Sequence, residues 1–210
     1  LILYAIDIYL ISYFMSSKWV AYYFVAVAIS KLSWLITDAS GNILYPKFIK
    51  ITDKETEQKA IDELYFYGTL NFLINILAII VFYFIGRFVI LLIYEDSYLV
   101  SYVPTLILLL GSQGMAYYKL IGRYLASKNE WNPMYLALGI AVIFNISFNI
   151  IVLKFTTYGI IGVAASSAVS YWICGLVISY FLGGSFRGFM SFRIVIVHLY
   201  NLIKLKFTRS

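Results

Sequence analysis

The sequence predicts an all-α integral membrane protein with six transmembrane helices, and three observations carry that class. Of the 210 residues, 62% are hydrophobic and 12% charged, against about 25% charged in a soluble domain, and the mean hydropathy is +0.87. The apolar residues fall into several runs of the length that crosses a bilayer, about 20 residues each. The basic residues are dense in alternate connections and sparse in the others, the bias that fixes how helices thread a membrane.

The first apolar run covers residues 1–16, short of a full span, and the chain begins at Leu1 already inside it. We read this as a truncated first helix whose N-terminal part is missing; no basic leader or cleavage site precedes it. Ser17 and Lys18 turn the chain into a second helix over 19–45, with Pro46 as its stop. Residues 47–63 mix Lys50, Asp53, Lys54, Glu55, Glu57, Lys59, Asp62 and Glu63, the pattern of a solvated or interfacial helix. A third helix is expected over 64–85. Residues 86–102, half polar with Glu95 and Asp96, are expected to lie at the membrane surface. A fourth helix follows over 103–127, with Pro104 in its first turn, where proline is tolerated. After a polar break at 128–132 come a fifth helix over 134–153 and a sixth over 158–182.

The cations support this threading. Lys47, Lys50, Lys54, Lys59, Arg123, Lys128 and the tail residues Arg187, Arg193, Lys204, Lys206 and Arg209 share one side, and only Lys18, Arg87 and Lys154 the other. The richer side is expected to be cytoplasmic, C-terminus included. The formal net charge of +6 therefore belongs to topology and anionic lipid; no nucleic-acid module interrupts the helices, and nucleic acid is excluded as a partner. Cys174 is the only cysteine, which removes disulfides and cysteine metal clusters. Residues 183–210 read as a basic amphipathic cytoplasmic tail carrying a lone His198.

The stretch 145–171 is the richest in pattern. Gly162, Ser166, Ser170 and Cys174 lie four apart and form one small-residue face, the feature that lets helices approach closely in lipid. Asn145 and Asn149, then Tyr158-Gly159-Ile160-Ile161-Gly162-Val163-Ala164-Ala165 and Ser170-Tyr171, resemble a signature of the bacterial polysaccharide flippases. These transport lipid-linked oligosaccharides and share a superfamily with the lipid II flippase and the multidrug and toxin extruders. Further likenesses follow in order. Asp7 and Val20-Ala21-Tyr22-Tyr23 resemble the opening of the family's second half, although Ala21 stands where glycine is common. Gly86-Arg87, Tyr94, Tyr98, Ser101, Pro104 and Leu108 resemble the segment leading into the next helix, although Glu95-Asp96 replace a frequent glycine. Arg123, Leu125, Ala126 and Lys128 resemble that helix's cytoplasmic end. The resemblance covers about residues 1–182 and implies a six-transmembrane-helix lobe, equivalent to the second half of a twelve-helix flippase.

No histidine cluster, nucleophile elbow or phosphate-cradling loop is present, so transport is expected rather than catalysis, with no cofactor or bound metal. Ionisable groups inside the helices then matter most, since each is costly in lipid. Asp7 lies about ten residues before the outer turn and Lys31 about thirteen after it, roughly 15–20 Å deep in a core of about 30 Å. They are expected to pair or to face one polar lumen. As a pair they are either purely structural or functional, Lys31 attracting a diphosphate while Asp7 releases it by taking a proton or sodium ion. Asp38 and Asn42 continue a polar stripe from Lys31, with Asp38 a second ion-coupling candidate. Lys119 and Arg123, four apart, either snorkel to head groups or form a cationic entrance for a pyrophosphate-linked lipid. Asn71 with Asn75, and Asn145 with Asn149, are i,i+4 amide pairs suited to interhelical hydrogen bonds or to sugar contacts.

The resemblance implies export of a polyprenyl-diphosphate-linked oligosaccharide across a bacterial cytoplasmic membrane, for O-antigen- or capsule-type surface polysaccharide. Its implied partners are membrane lipids, a missing N-terminal six-helix half and polysaccharide polymerase machinery. A cation-coupled multidrug extruder of the same superfamily and a non-transporting membrane assembly subunit remain as alternatives.

Overall fold

The computed structural model describes residues 2–182; the tail with His198 and its five cations lies outside them. Among the described residues, six α-helices and one short 3-10 helix follow in order. They are α1 (Ile2–Phe14), α2 (Ser17–Ile49), α3 (Lys54–Ile93), the 3-10 turn (Asp96–Ser101), α4 (Tyr102–Ser127), α5 (Asn132–Phe155) and α6 (Gly159–Phe181). All but α1 are long and apolar enough to cross a bilayer, so the chain is membrane-embedded and all-helical. The 13 residues of α1 cover about 20 Å, less than a hydrocarbon core of about 30 Å. The described residues therefore form five span-length helices beside a shorter first one.

Consecutive helices run up and down. At one end the turns before α2, α4 and α6 gather. Ser101 donates to the Tyr22 carbonyl at 2.7 Å, and Tyr22 meets Tyr98 edge-on at 5.2 Å. Each of the three cations at this end lies over an aromatic ring, Lys18 over Tyr22, Arg87 over Tyr102 and Lys154 over Phe155. Rings with cations at one level mark a membrane–water interface. At the other end Lys47 pairs with Glu63 and Lys128 with Glu57, and Tyr124 donates to Glu57 at 2.6 Å.

Two expected boundaries are corrected. Pro46 does not end α2, which continues to Ile49. Proline removes one N–H, leaving only the Asn42 carbonyl without its helical donor, and both residues are exposed. The charged run 47–63 is thus split between the end of α2 and the start of α3. There Asp53 and Thr56 cap each other reciprocally, the Thr56 N–H donating to Asp53 Oδ1 at 2.8 Å. Bonds from the Thr56 backbone and hydroxyl hold the Asp53 carboxyl below the usual carboxylate range. At its far end α3 runs on through Gly86 to Ile93 instead of breaking into a surface segment. Gly86 is buried inside the helix, where any Cβ would meet the Phe82 ring at 2.8 Å.

Helix α4 is the hub, packing on α2, α3 and α6. It touches α6 backbone to backbone. A Cβ on Gly111 would lie 2.5 Å from Ala168 Cα, one on Gly114 2.4 Å from the Tyr171 carbonyl, and one on Gly175 2.5 Å from the Gly114 carbonyl. The expected small face of α6 packs instead on α5, with Gly162 against Val152 and Ser166 beneath the Asn145 carbonyl. Helix α6 therefore carries two small faces, of which the four-residue spacing revealed one.

Gly114→Ala is expected to lower the thermal unfolding midpoint in detergent, by an amount corresponding to about 1–3 kcal/mol of overpacking. The control is Gly139→Ala, where an added Cβ meets nothing within 4 Å. Equal midpoints for the two variants would contradict the close α4–α6 crossing.

Candidate functional site: a caged carboxylate and a charged cavity

The first polar cluster is closed. Asp7 of α1 is 0% exposed, and helices α2, α5 and α6 each send donors to it. Tyr23 Oη donates to Oδ2 at 2.8 Å and Ser167 Oγ to the same oxygen at 2.6 Å. The amides of Asn145 and Asn149 donate to Oδ1 at 3.1 and 2.8 Å. Four donors fill the acceptor capacity of a carboxylate. The i,i+4 spacing brings both asparagines onto one face of α5, and Asn149 also donates to Asn145 Oδ1 at 3.2 Å. Asn149 Oδ1 is buried and accepts no hydrogen bond among the described residues.

Asp7 is therefore not ion-paired with Lys31. Depth explains the difference. Counted from Ser16, Asp7 is nine residues back and Tyr23 seven forward, so those two meet across the α1–α2 hairpin. Lys31 is fifteen residues forward, and the six-residue mismatch with Asp7 amounts to about 9 Å along the axis.

The second cluster is open. Lys119 of α4 lies 2.9 Å from both carboxylate oxygens of Asp38 on α2. Arg123, one turn further, lies 3.5 Å from Asp38 Oδ1 and donates to the Asp38 carbonyl at 3.0 Å. Rather than snorkelling apart, the two cations share one carboxylate. Gly41 makes this possible, because a Cβ there would sit 1.8 Å from Arg123 Nη1. Lys119 also stands 5.0 Å from the centroid of the Trp34 ring, and Lys31 5.9 Å from the same ring. Lys31 thus joins this cluster through an indole, not through Asp7.

Asp38, Lys119 and Arg123 line a cavity of about 470 Å³ together with Asn42, Tyr45, Tyr118 and Trp131. The Lys119 and Arg123 side chains are 28% exposed and that of Asp38 44%. A concave surface holding charged groups partly in the open is the candidate site in this fold.

Asn71 and Asn75 belong to neither cluster. Asn71 accepts from Thr37 and donates to Ser40, both at 3.0 Å, joining α3 to α2. Asn75 donates to the Leu109 carbonyl at 3.1 Å, joining α3 to α4. Both lie away from the cavity; the Asn71 amide is engaged at both ends, whereas the buried Asn75 Oδ1 accepts no hydrogen bond among the described residues. Sequence reasoning missed Tyr23, Ser167, Gly41, Tyr45, Tyr118 and Trp131. Similar distance from the turn, nine residues against seven, was a usable signal for Tyr23; the others follow only from tertiary contacts.

The fold and the two clusters define a membrane-embedded helical protein with a caged carboxylate and an amphoteric cavity. No model of a known protein family, no curated protein and no solved structure matches the chain.

Asp7→Leu leaves four donors without their acceptor in a water-poor interior, at about 1–3 kcal/mol for each that stays unsatisfied. A clear drop in the thermal unfolding midpoint is expected, with a smaller drop for Asp7→Asn, which keeps one carbonyl acceptor. Wild-type midpoints in both variants would contradict the cage.

Proposed function

We propose that this chain is a lobe of a membrane translocator that carries lipid-linked oligosaccharide, a polyprenyl-diphosphate sugar, across a bacterial cytoplasmic membrane by alternating access. The observation that carries the reading is the cavity in which Lys119 and Arg123 stand beside Asp38 on the bundle surface. Charged groups at membrane depth belong to aqueous pathways and substrate routes, because lipid cannot solvate them. Two cations against one carboxylate leave the site net positive, suited to a phosphate ester rather than to an organic cation. Arg123 offers a planar fork of donors and Lys119 a point charge, the complementary pair used for phosphate oxygens.

Asp38 acts as the resident counter-ion. It holds both cations in place while the site is empty of substrate, and the incoming diphosphate competes for them. By the distribution of basic loops this cavity faces the cytoplasm, where lipid-linked precursors are made. Lys31 stands deeper along α2 and receives the anion next. Asp7 is the coupling group. Its cage gathers two carboxylate oxygens, two amide oxygens and two hydroxyls, and Asn149 Oδ1 is an acceptor that no described residue uses. Asn145 and Asn149 serve that cage rather than the sugar. The lumen is completed by a second six-helix half.

The test uses the source cell with the gene deleted, scoring the leaflet in which lipid-linked oligosaccharide accumulates. The expected result is cytoplasmic-leaflet accumulation and loss of surface polysaccharide. The intact gene restores export, and a Lys119→Gln/Arg123→Gln version restores less than a tenth of the rate if the double change removes about 1.4 kcal/mol or more of substrate binding. Normal polysaccharide with new sensitivity to organic cations would overturn the reading in favour of an extruder. Full rescue by the double variant would remove the cavity from the mechanism.

A further inference from the structure

The cavity's aromatic wall is built with more care than a membrane anchor needs. Helix α4 ends in a paired motif in which the Glu130 N–H bonds the Leu125 carbonyl at 2.9 Å and the Asn129 N–H the Ala126 carbonyl at 3.0 Å. Asn129 holds the left-handed conformation the motif requires, at φ 62°, where asparagine is the usual residue if glycine is not used. Its side chain then takes a second task. Asn129 Oδ1 accepts from the Trp131 indole N–H at 2.8 Å.

That bond consumes the only polar group of the indole. A tryptophan anchoring a helix at a bilayer interface directs its N–H to water or head groups. Trp131 instead turns its N–H back into its own loop and lends its ring, 43% exposed, to the cavity wall. Tyr45, 40% exposed, and the exposed amide of Asn42 line the same cavity. The lining thus combines an indole ring held by Asn129, hydroxyl and amide groups, and the charged set of Lys119, Arg123 and Asp38. A pyranose bound through a phosphate has the matching three surfaces: a C–H face, a rim of hydroxyls and an anionic linkage. The volume of about 470 Å³ lies within the few hundred to 1,000 Å³ of small-molecule pockets.

We infer that Trp131 is the stacking platform for the first sugar of the lipid-linked chain, the residue attached directly to the diphosphate, with Asn42 and Tyr45 reading its hydroxyls. The inference rests on the lipid-diphosphate reading above and adds a specificity element to it. Charge recognises the diphosphate on any such lipid, whereas the ring distinguishes a glycosylated lipid from a bare one. Asn129 is a positioning residue that acts through the indole.

The experiment measures the affinity of the chain in nanodiscs for two probes, farnesyl diphosphate and farnesyl-diphosphoryl-N-acetylglucosamine. Wild type is expected to bind the glycosylated probe about five- to tenfold more tightly, the scale of one aromatic contact. Trp131→Leu should erase that preference, weakening binding of the glycosylated probe about five- to tenfold more than that of farnesyl diphosphate. Trp131→Phe should keep part of it. Asn129→Gly, which preserves the left-handed turn but frees the indole, should fall between wild type and Trp131→Leu. Retained binding of the bare probe also reports that each variant is folded. No preference in wild type, or a preference that survives Trp131→Leu, would overturn the inference and leave the lipid-diphosphate reading standing. Failure of wild type to bind either probe would overturn both.

Discussion

The carboxylate of Asp7 is the point on which the helical arrangement depends, because the membrane offers it nothing. Water would hydrate it and lipid cannot, so every acceptor position has to be met from within the chain. Four side chains from three other helices do so, and their geometry fixes where α1, α2, α5 and α6 stand relative to one another. Apolar contacts alone do not give that definition in a bilayer, since lipid tails are as apolar as leucine. The cage specifies, while small residues supply proximity. Gly111, Gly114 and Gly175 bring α4 and α6 into backbone contact, and Gly162 makes room for the Val152 side chain of α5.

The same constraint separates the two polar clusters. Where polar groups can be mutually satisfied they close into the core, as at Asp7 and at Asn71 with Thr37 and Ser40. Where charges stay partly exposed, as at Asp38, Lys119 and Arg123, they require water or another protein at that face. Lys31, Asp38 and Asn42 follow one another along α2, and the Trp34 ring lies near both Lys31 and Lys119 of α4. The bundle thus holds a closed polar cage and an open charged cavity in separate places.

Much of the fold was legible in the sequence because lipid imposes length and hydropathy so strictly. Helices α4, α5 and α6 lie within two residues of their expected bounds. The misses have local causes. Pro46 breaks a rule for helix interiors but sits near an exposed end, where the lost bond costs little. The surface segment expected over 86–102 came from its half-polar composition with Glu95 and Asp96, but the polar residues cluster after Ile93 and the apolar part stays in α3, where Gly86 makes room for Phe82. At the sites, periodicity found Asn145 with Asn149 and Lys119 with Arg123, because i,i+4 pairs are written along one helix. It could not find Ser167 or Trp131, whose neighbours are brought from elsewhere in the chain. The Asp7–Lys31 pairing failed on six residues of depth, a quantity visible in the numbering once the turn is placed at Ser16.

The account's central claim is that the Lys31–Asp38–Asn42 face meets water while the bundle is embedded in membrane. Cysteines placed singly at positions 31, 38 and 42 in reconstituted protein can be tested with a membrane-impermeant thiol reagent, the buried Cys174 serving as the unreactive background. The expected result is rapid labelling at 42 and 38, slower but measurable labelling at 31, and none at the exposed apolar position 35 of the same helix. Labelling at 38 and 42 no faster than at 35 would mean that this face lies against lipid, and the translocation route would have to be abandoned.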